Sequence, residues 1–158
     1  MRIVIQRAKG ASVSIDGCVT ADFQGLGYMI LLGVESTDTL EDVDWLVRKV
    51  ATLRVFDDAN GVMNRSILDI QGEHEGKDGN IIVVSQFTLF ASYKKGNRPS
   101  WLRADSHEIS VPLYEAFIQR LSSAIGRPVG HGEFGADMKV SLTNDGPVTI
   151  IMDTKNKE

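Results

Sequence analysis

The sequence predicts an α+β domain with mainly antiparallel sheets and two main helices. Three observations carry that expectation. Short stretches with a two-residue apolar period fill the first third and the far end of the chain, while two longer stretches, near 38–53 and 110–125, switch to a helical period. The resulting order, ββββ-helix-ββ-helix-ββ, contains few of the β-α-β alternations that build parallel sheets. At 158 residues the chain reads as one domain over 1–158, large enough to bury a core without disulfides.

Taken in order, Arg2–Arg7 and Ala11–Ile15 alternate, with Ile3, Ile5, Val13 and Ile15 on one side of the pleat. Asp16-Gly17 is a hairpin signal leading into Cys18–Phe23. Gly25-Leu26-Gly27 reads as a turn before the strand Tyr28–Val34; glycines ahead of a strand are in the wrong order for a dinucleotide fingerprint. Asp38–Leu53 reads as a helix, with Asp38 as cap, Glu41 completing a capping box, and Leu40, Val43, Leu46, Val47, Val50 and Leu53 forming one apolar stripe. Trp45 lies off that stripe. Asp57–Gly61 is a turn, Ser66–Ile70 suits a short strand, and the polar run Gln71–Asn80 suits an exposed hairpin loop. Ser110 caps the second helix, Ser110–Ile125, with Pro112 in its first turn and Gly126 ending it. Strands at Met138–Leu142 and Val148–Met152 flank a turn at Thr143–Gly146, and residues 153–158 read as a frayed tail.

Between the helices lies the stretch that organises the rest, Ile81–Ala91. Four β-prone apolar residues, Ile81–Val84, run without a polar break, as in a strand buried on both faces or a short buried helix segment. The run opens abruptly into Ser85-Gln86-Phe87-Thr88. That change places hydroxyls, an amide and free N–H groups at the edge of a core, where a pocket forms; the same residues would equally serve an ordinary strand end and turn. Ser92–Ala104 follows, with Lys94, Lys95, Arg98 and Arg103, no acid, and interleaved Tyr93 and Trp101. Bases among aromatics suit phosphate contacts and base stacking, and also suit a solvated loop.

Several chemistries are excluded. The chain has a net charge of −4, so no global basic field marks a nucleic-acid binder. No apolar run reaches the length of a membrane span, and the N-terminus lacks the apolar centre of a signal peptide. Cys18 is the only cysteine, which fits a reducing compartment. No G-x-S-x-G elbow surrounds any serine, and His74, His107 and His131 show no metal spacing. His131-Gly132-Glu133 lacks the cysteine half of a zinc deaminase site. An enzyme built from these residues works by positioning and backbone hydrogen bonds.

Two motifs together, Ser85-Gln86-Phe87-Thr88-Leu89 and Asn144-Asp145-Gly146-Pro147-Val148-Thr149, closely resemble the D-aminoacyl-tRNA deacylases of the bacterial and eukaryotic type. Ile5-Gln6-Arg7-Ala8, Ala11-Ser12-Val13 and Phe134–Met138 share the resemblance, which covers nearly the whole chain. It implies a compact barrel-like α+β fold, a cytoplasmic homodimer with sites at its interface, no cofactor and no metal. It also implies a tRNA partner carrying a D-amino acid or mischarged glycine. In such a protein the Gly146-Pro147 peptide is cis and enters the partner subunit's pocket, where its carbonyls exclude an L side chain; Arg7 helps to hold it. By the same resemblance the backbone N–H groups of Phe87 and Thr88 bind the oxyanion. Ser85 and Gln86 line the ester pocket, Phe134 stacks on the terminal adenine, and Lys94, Lys95, Arg98 and Arg103 contact tRNA. Two other readings stand beside this proofreading hydrolase: a non-catalytic RNA-binding domain, which needs no L-rejecting gate, and a general esterase, which needs a nucleophile–base pair.

Overall fold

The computed structural model describes residues 1–104 and 107–158. Its frame is a five-stranded sheet in the order β6-β5-β2-β1-β7. Strand β1 (Arg2–Ile15) and strand β2 (Cys18–Gly33) form one long antiparallel hairpin, and β7 (Met138–Asp153) pairs antiparallel with the other side of β1. Strand β5 (Asn80–Ser85) lies parallel to β2, and the short β6 (Gly130–His131) lies parallel to β5. The α+β class holds and the longest pairings are antiparallel, but the sheet is mixed and, among the described residues, open, with β6 and β7 at its edges, rather than barrel-like. A two-stranded ribbon, β3 (Phe56–Asp57) with β4 (Met63–Arg65), stands apart.

The sequence reading split each long strand in two. Gly25 and Gly27 do not turn the chain; they lie inside β2. A Cβ on Gly27 would stand 2.2 Å from the Asn80 carbonyl oxygen, and one on Gly25 would stand 2.5 Å from Asp78 Oδ1. Glycine is needed there because the segment leading into β5 presses against β2. The expected turn at Thr143–Gly146 is likewise part of β7. Registers of Gln6 with Thr149 and of Ala8 with Asn144 leave Asp145–Val148 bulged opposite Arg7.

Alternation along the strands produces two cores. Ile3, Ile5, Tyr28, Ile30, Leu32, Ile81 and Val83 face the helices, where they meet Val43, Leu46 and Val50 of α1 (Leu40–Thr52) and Leu113, Phe117 and Leu121 of α3 (His107–Ile125). Met29, Ile82 and Val84 point the other way and pack with Ala11, Val13 and Phe23 from the far halves of β1 and β2. Ile81–Val84 is therefore buried on both faces, as its unbroken apolar run requires.

Helix α1 is capped by Thr39 with Asp42, one residue later than the expected Asp38 and Glu41. Asp38 is used elsewhere: its buried carboxylate pairs with the Met1 ammonium and accepts from the Glu35 N–H at 2.8 Å. Helix α3 begins three residues before the expected Ser110, so Ser110 is a buried helical residue and Pro112 lies beyond the first turn. Ser66–Ile70 is a turn held by Asp69, not a strand. Gln71–Asn80 is not a hairpin loop, since β5 runs parallel to β2; it contains the single turn α2 (Glu73–Gly76) and the buried Asp78. The tail is also tied down. Thr154 is buried and its N–H donates to the Met1 carbonyl at 2.9 Å, Lys155 Nζ lies 2.8 Å from Asp42, and Lys157 sits over the ring of Trp45.

Phe117 has no exposed surface and sits where α1, α3 and the sheet meet. Phe117→Ala should cost about 3–5 kcal/mol in urea unfolding, and a loss near zero would contradict this placement. The tail contributes a pH-dependent part of stability. Burial pushes the Asp42 carboxyl up, but hydrogen bonds from Lys155, Thr154 and the Thr39 N–H outweigh it and hold the group well below the usual carboxylate range. At Asp153 burial is likewise outweighed, chiefly by the Arg2 guanidinium. Both folded values lie below the unfolded ones, so this stabilisation is complete above about pH 4 and is lost as pH falls through the lowered values. Asp42→Asn should reduce stability at neutral pH and flatten the acid limb of the stability–pH curve; an unchanged acid limb would contradict it.

Candidate active site

The site begins where β5 ends. Ser85 is the last residue in register with β2, opposite Leu32, and the Gln86 N–H then donates to the Leu32 carbonyl at 2.7 Å. Beyond this rung the backbone leaves the sheet and winds into a 3₁₀ turn, Phe87–Phe90. Phe90 anchors the turn: it is buried, with the guanidinium groups of Arg2 and Arg103 lying 4.9 and 5.3 Å from its ring centre. Phe87 is 54% exposed and meets Trp101 edge to face at 5.3 Å. The first N–H groups of a helical turn have no partner within it. Those of Phe87 and Thr88 donate to no acceptor among the described residues.

Ser85, Gln86 and Phe87 form one wall of a cleft of about 570 Å³. Phe134 forms the facing wall, held edge to face by His107 at 5.2 Å and Tyr114 at 5.7 Å. Leu32, Val34 and Val84 supply an apolar floor, and Ser110, Trp101 and Asp137 complete the lining. Four of the residues singled out in the sequence are thus brought together. Thr88 lies beside them, with its hydroxyl accepting a hydrogen bond from the Gln86 amide. No histidine or carboxylate bonds to it among the described residues.

Tyr114, Ser110 and His107 line the cleft but were not expected there from the sequence. Tyr114 neighbours the apolar stripe of α3, and its buried hydroxyl donates to the Val83 carbonyl at 3.0 Å. Burial pushes that phenol up, so it stays protonated and holds the helix to β5. A tyrosine beside a buried stripe was the available signal, because its polar tip has to find a partner.

The other motif lies elsewhere in the chain. Gly146 and Pro147 are exposed on the β7 bulge, joined by a cis peptide, and neither lines the cleft of its own chain. The Asn144 side chain organises the bulge, accepting from the Val148 N–H at 2.8 Å and donating to the Thr149 hydroxyl at 2.9 Å. Beneath it Arg7, 7% exposed, spreads its donors over three neighbours. Its Nε reaches the Asp145 carbonyl at 3.0 Å, and its Nη1 reaches the Val55 carbonyl at 2.6 Å and Asp57 at 3.2 Å. A Cβ on Gly146, whose φ is +128°, would stand 3.2 Å from Arg7 Nη2 and 2.9 Å from Val148 Cγ2.

Among the four basic candidates, Lys94, Lys95 and Arg98 are exposed on the loop after the 3₁₀ turn. Arg103 is partly committed, paired with Glu35 at 3.2 Å and lying over Phe90. Among the described residues, Glu73, His74 and Asp78 have donor atoms close enough to share a metal. Asp78 is already engaged there, accepting from the Leu26 N–H at 2.8 Å and pairing with His74.

Comparison with known proteins gives a consistent set of matches. A family model described as D-Tyr-tRNA(Tyr) deacylase matches residues 4–153. The D-aminoacyl-tRNA deacylase of Phocaeicola vulgatus is 60% identical over the full length of both chains, and that of Dechloromonas aromatica is 50% identical, also over both full lengths. A solved structure of a c-Myc DNA unwinding element binding protein superposes with a TM-score of 0.85 at 36% identity, covering 98% of this chain and 99% of the other. A structure described as a probable eukaryotic D-amino acid tRNA deacylase has a TM-score of 0.75 at 15% identity, covers 96% and 97%, and supports the fold alone.

The planar fork of Arg7 is what lets one side chain reach three acceptors. Arg7→Lys keeps the charge but leaves buried acceptors unmatched, and should cost about 1–3 kcal/mol of stability. A change within about 0.5 kcal/mol, as at an ordinary surface site, would show that the bulge holds itself.

Proposed function

Because the chain belongs to the D-Tyr-tRNA(Tyr) deacylase family, we propose that it is a proofreading hydrolase that cleaves the ester of D-aminoacyl-tRNA, and of mischarged glycyl-tRNA, in the cytoplasm. The observation that carries this reading is the cleft at the end of β5. There two uncommitted main-chain N–H groups, at Phe87 and Thr88, stand beside an aromatic wall, with no nucleophile–base pair among the described residues. A general esterase would need such a pair. An aminoacyl ester on tRNA needs less help, because it is already activated and has a ribose hydroxyl beside its carbonyl.

In this mechanism the terminal adenine stacks on Phe134 while Ser85 and Gln86 orient the ester. Water attacks the carbonyl carbon, and the Phe87 and Thr88 N–H groups receive the developing oxyanion. Main-chain donors of this kind contribute roughly 3–4 kcal/mol each in other hydrolases. The bond to the ribose oxygen then breaks, and the neighbouring ribose hydroxyl relays the proton from water to the departing oxygen. The free amino acid and the tRNA leave. Lys94, Lys95 and Arg98 steer the phosphate backbone, with Arg103 at the edge of that patch.

Chirality is read by exclusion. The exposed Gly146-Pro147 segment of one subunit enters the cleft of its homodimer partner, and its carbonyls occupy the space an L side chain would fill. Its exposure and its absence from the lining of its own cleft favour a role across an interface. Arg7 holds the segment from below.

The deciding experiment compares D-Tyr-tRNA, L-Tyr-tRNA and Gly-tRNA with purified protein. Hydrolysis of the D and glycyl esters with the L ester spared is expected. Equal hydrolysis of D and L would discard the gate, and no hydrolysis of any would favour an RNA-binding module. Thr88→Val should keep kcat within a few-fold, since its N–H remains; a fall of about 10⁶-fold, of the size seen when a nucleophile is removed, would make the hydroxyl the reacting group.

A further inference from the structure

Behind Phe134 lies a second cavity, of about 620 Å³, that shares Phe134 and Tyr114 with the first. Its apolar surface comes from Ile15 and Ile118, and its polar rim from Thr20, Glu115, Gln119, His131 and Glu133. Thr20 and Gln119 can donate or accept, while the charged groups and the histidine offer acceptors. Two are carboxylates, and His131 Nδ1 lies 2.8 Å from the Gly132 carbonyl oxygen, so in the neutral ring it donates there and leaves Nε2 as an acceptor. A phosphate would be repelled from such a rim. A planar base that presents an amino group is accepted, with the apolar surface and the Phe134 ring against its face.

We propose that this cavity binds the cytosine immediately before the terminal adenosine of the tRNA acceptor end, through its exocyclic amino group. The inference rests on the proposed deacylase reading, which puts the terminal adenine against Phe134. The next base then lies one aromatic ring away, and the cavity across that ring is the one lined by Glu115 and Glu133. Cytosine offers an N4 amino donor to a carboxylate, whereas uracil offers an O4 acceptor that a carboxylate repels. The cavity thus checks that the substrate ends in C-A before the ester is aligned.

The test uses adenosine and the dinucleotides CpA and UpA with the full-length protein. Direct binding is followed through tryptophan fluorescence, and each compound is also assayed as an inhibitor of D-Tyr-tRNA hydrolysis. CpA should bind about tenfold or more tightly than UpA, a discrimination in the range of one well-placed base contact, and UpA should match adenosine. In the Glu115→Gln, Glu133→Gln double variant the C-over-U preference should vanish, because an amide presents either a donor or an acceptor. The KM for D-Tyr-tRNA should rise in the same variant. Equal binding of CpA and UpA to the unaltered protein, or a preference that survives the double variant, overturns the assignment. Tight CpA binding without any D-Tyr-tRNA hydrolysis would uphold the cavity and sink the deacylase reading, so the two fail separately.

Discussion

The parallel ladder between β2 and β5 is the constraint on which the rest of the molecule depends. It brings a strand that is apolar on both faces into the middle of the sheet, and it ends on one rung, the 2.7 Å bond from the Gln86 N–H to the Leu32 carbonyl. Both cores meet across this strand, with Ile81 and Val83 in one and Ile82 and Val84 in the other. Because Ile81–Val84 are all buried, the next polar groups emerge together at its carboxyl end. A cleft at the carboxyl end of a parallel strand is a common solution in sheet enzymes, since the departing backbone frees its N–H groups there. Gly25 and Gly27 belong to the same constraint. They are small because β5 and its approach leave no room for a side chain.

A second organising element is the long hairpin β1–β2 with β7 laid along it. Its interruptions matter more than its regular stretches. Where β7 bulges opposite Arg7, the arginine replaces missing ladder bonds with side-chain donors and ties the bulge to the ribbon at Val55 and Asp57. Gly146 and Pro147 at its tip are exposed and do not line the cleft of their own chain. One chain therefore carries a cleft and, apart from its lining, an exposed bulge held by Arg7.

Much of this was legible in the residues. The unbroken run Ile81–Val84 identified a fully buried strand, the helical stripes placed both main helices, and Ser85–Thr88 marked the edge of a core. The misreadings share a physical cause. Glycines and Asn-Asp-Gly signal turns locally, but tertiary contacts decided otherwise: a neighbouring backbone pressed on Gly25 and Gly27, and Arg7 stabilised the bulge at Asp145–Val148. Asp38 has the composition of a cap, yet it was claimed by a buried ammonium 37 residues away in sequence. Tyr114 and Ser110 were invisible as site residues because their role depends on which face of α3 looks over β5, and the stripe alone does not say what lies opposite.

The two uncommitted N–H groups at Phe87 and Thr88 carry an evolutionary consequence. Donors that belong to the main chain are indifferent to the side chains hung on them, so drift at these positions leaves them in place. Of the twenty residues only proline deletes one. In the oxyanion role proposed for them, the two donors tolerate substitution of their own side chains, while a one-residue insertion or deletion in the 3₁₀ turn re-aims both together. Under that proposal, selection at Phe87 and Thr88 falls on loop length and backbone path rather than on side-chain identity.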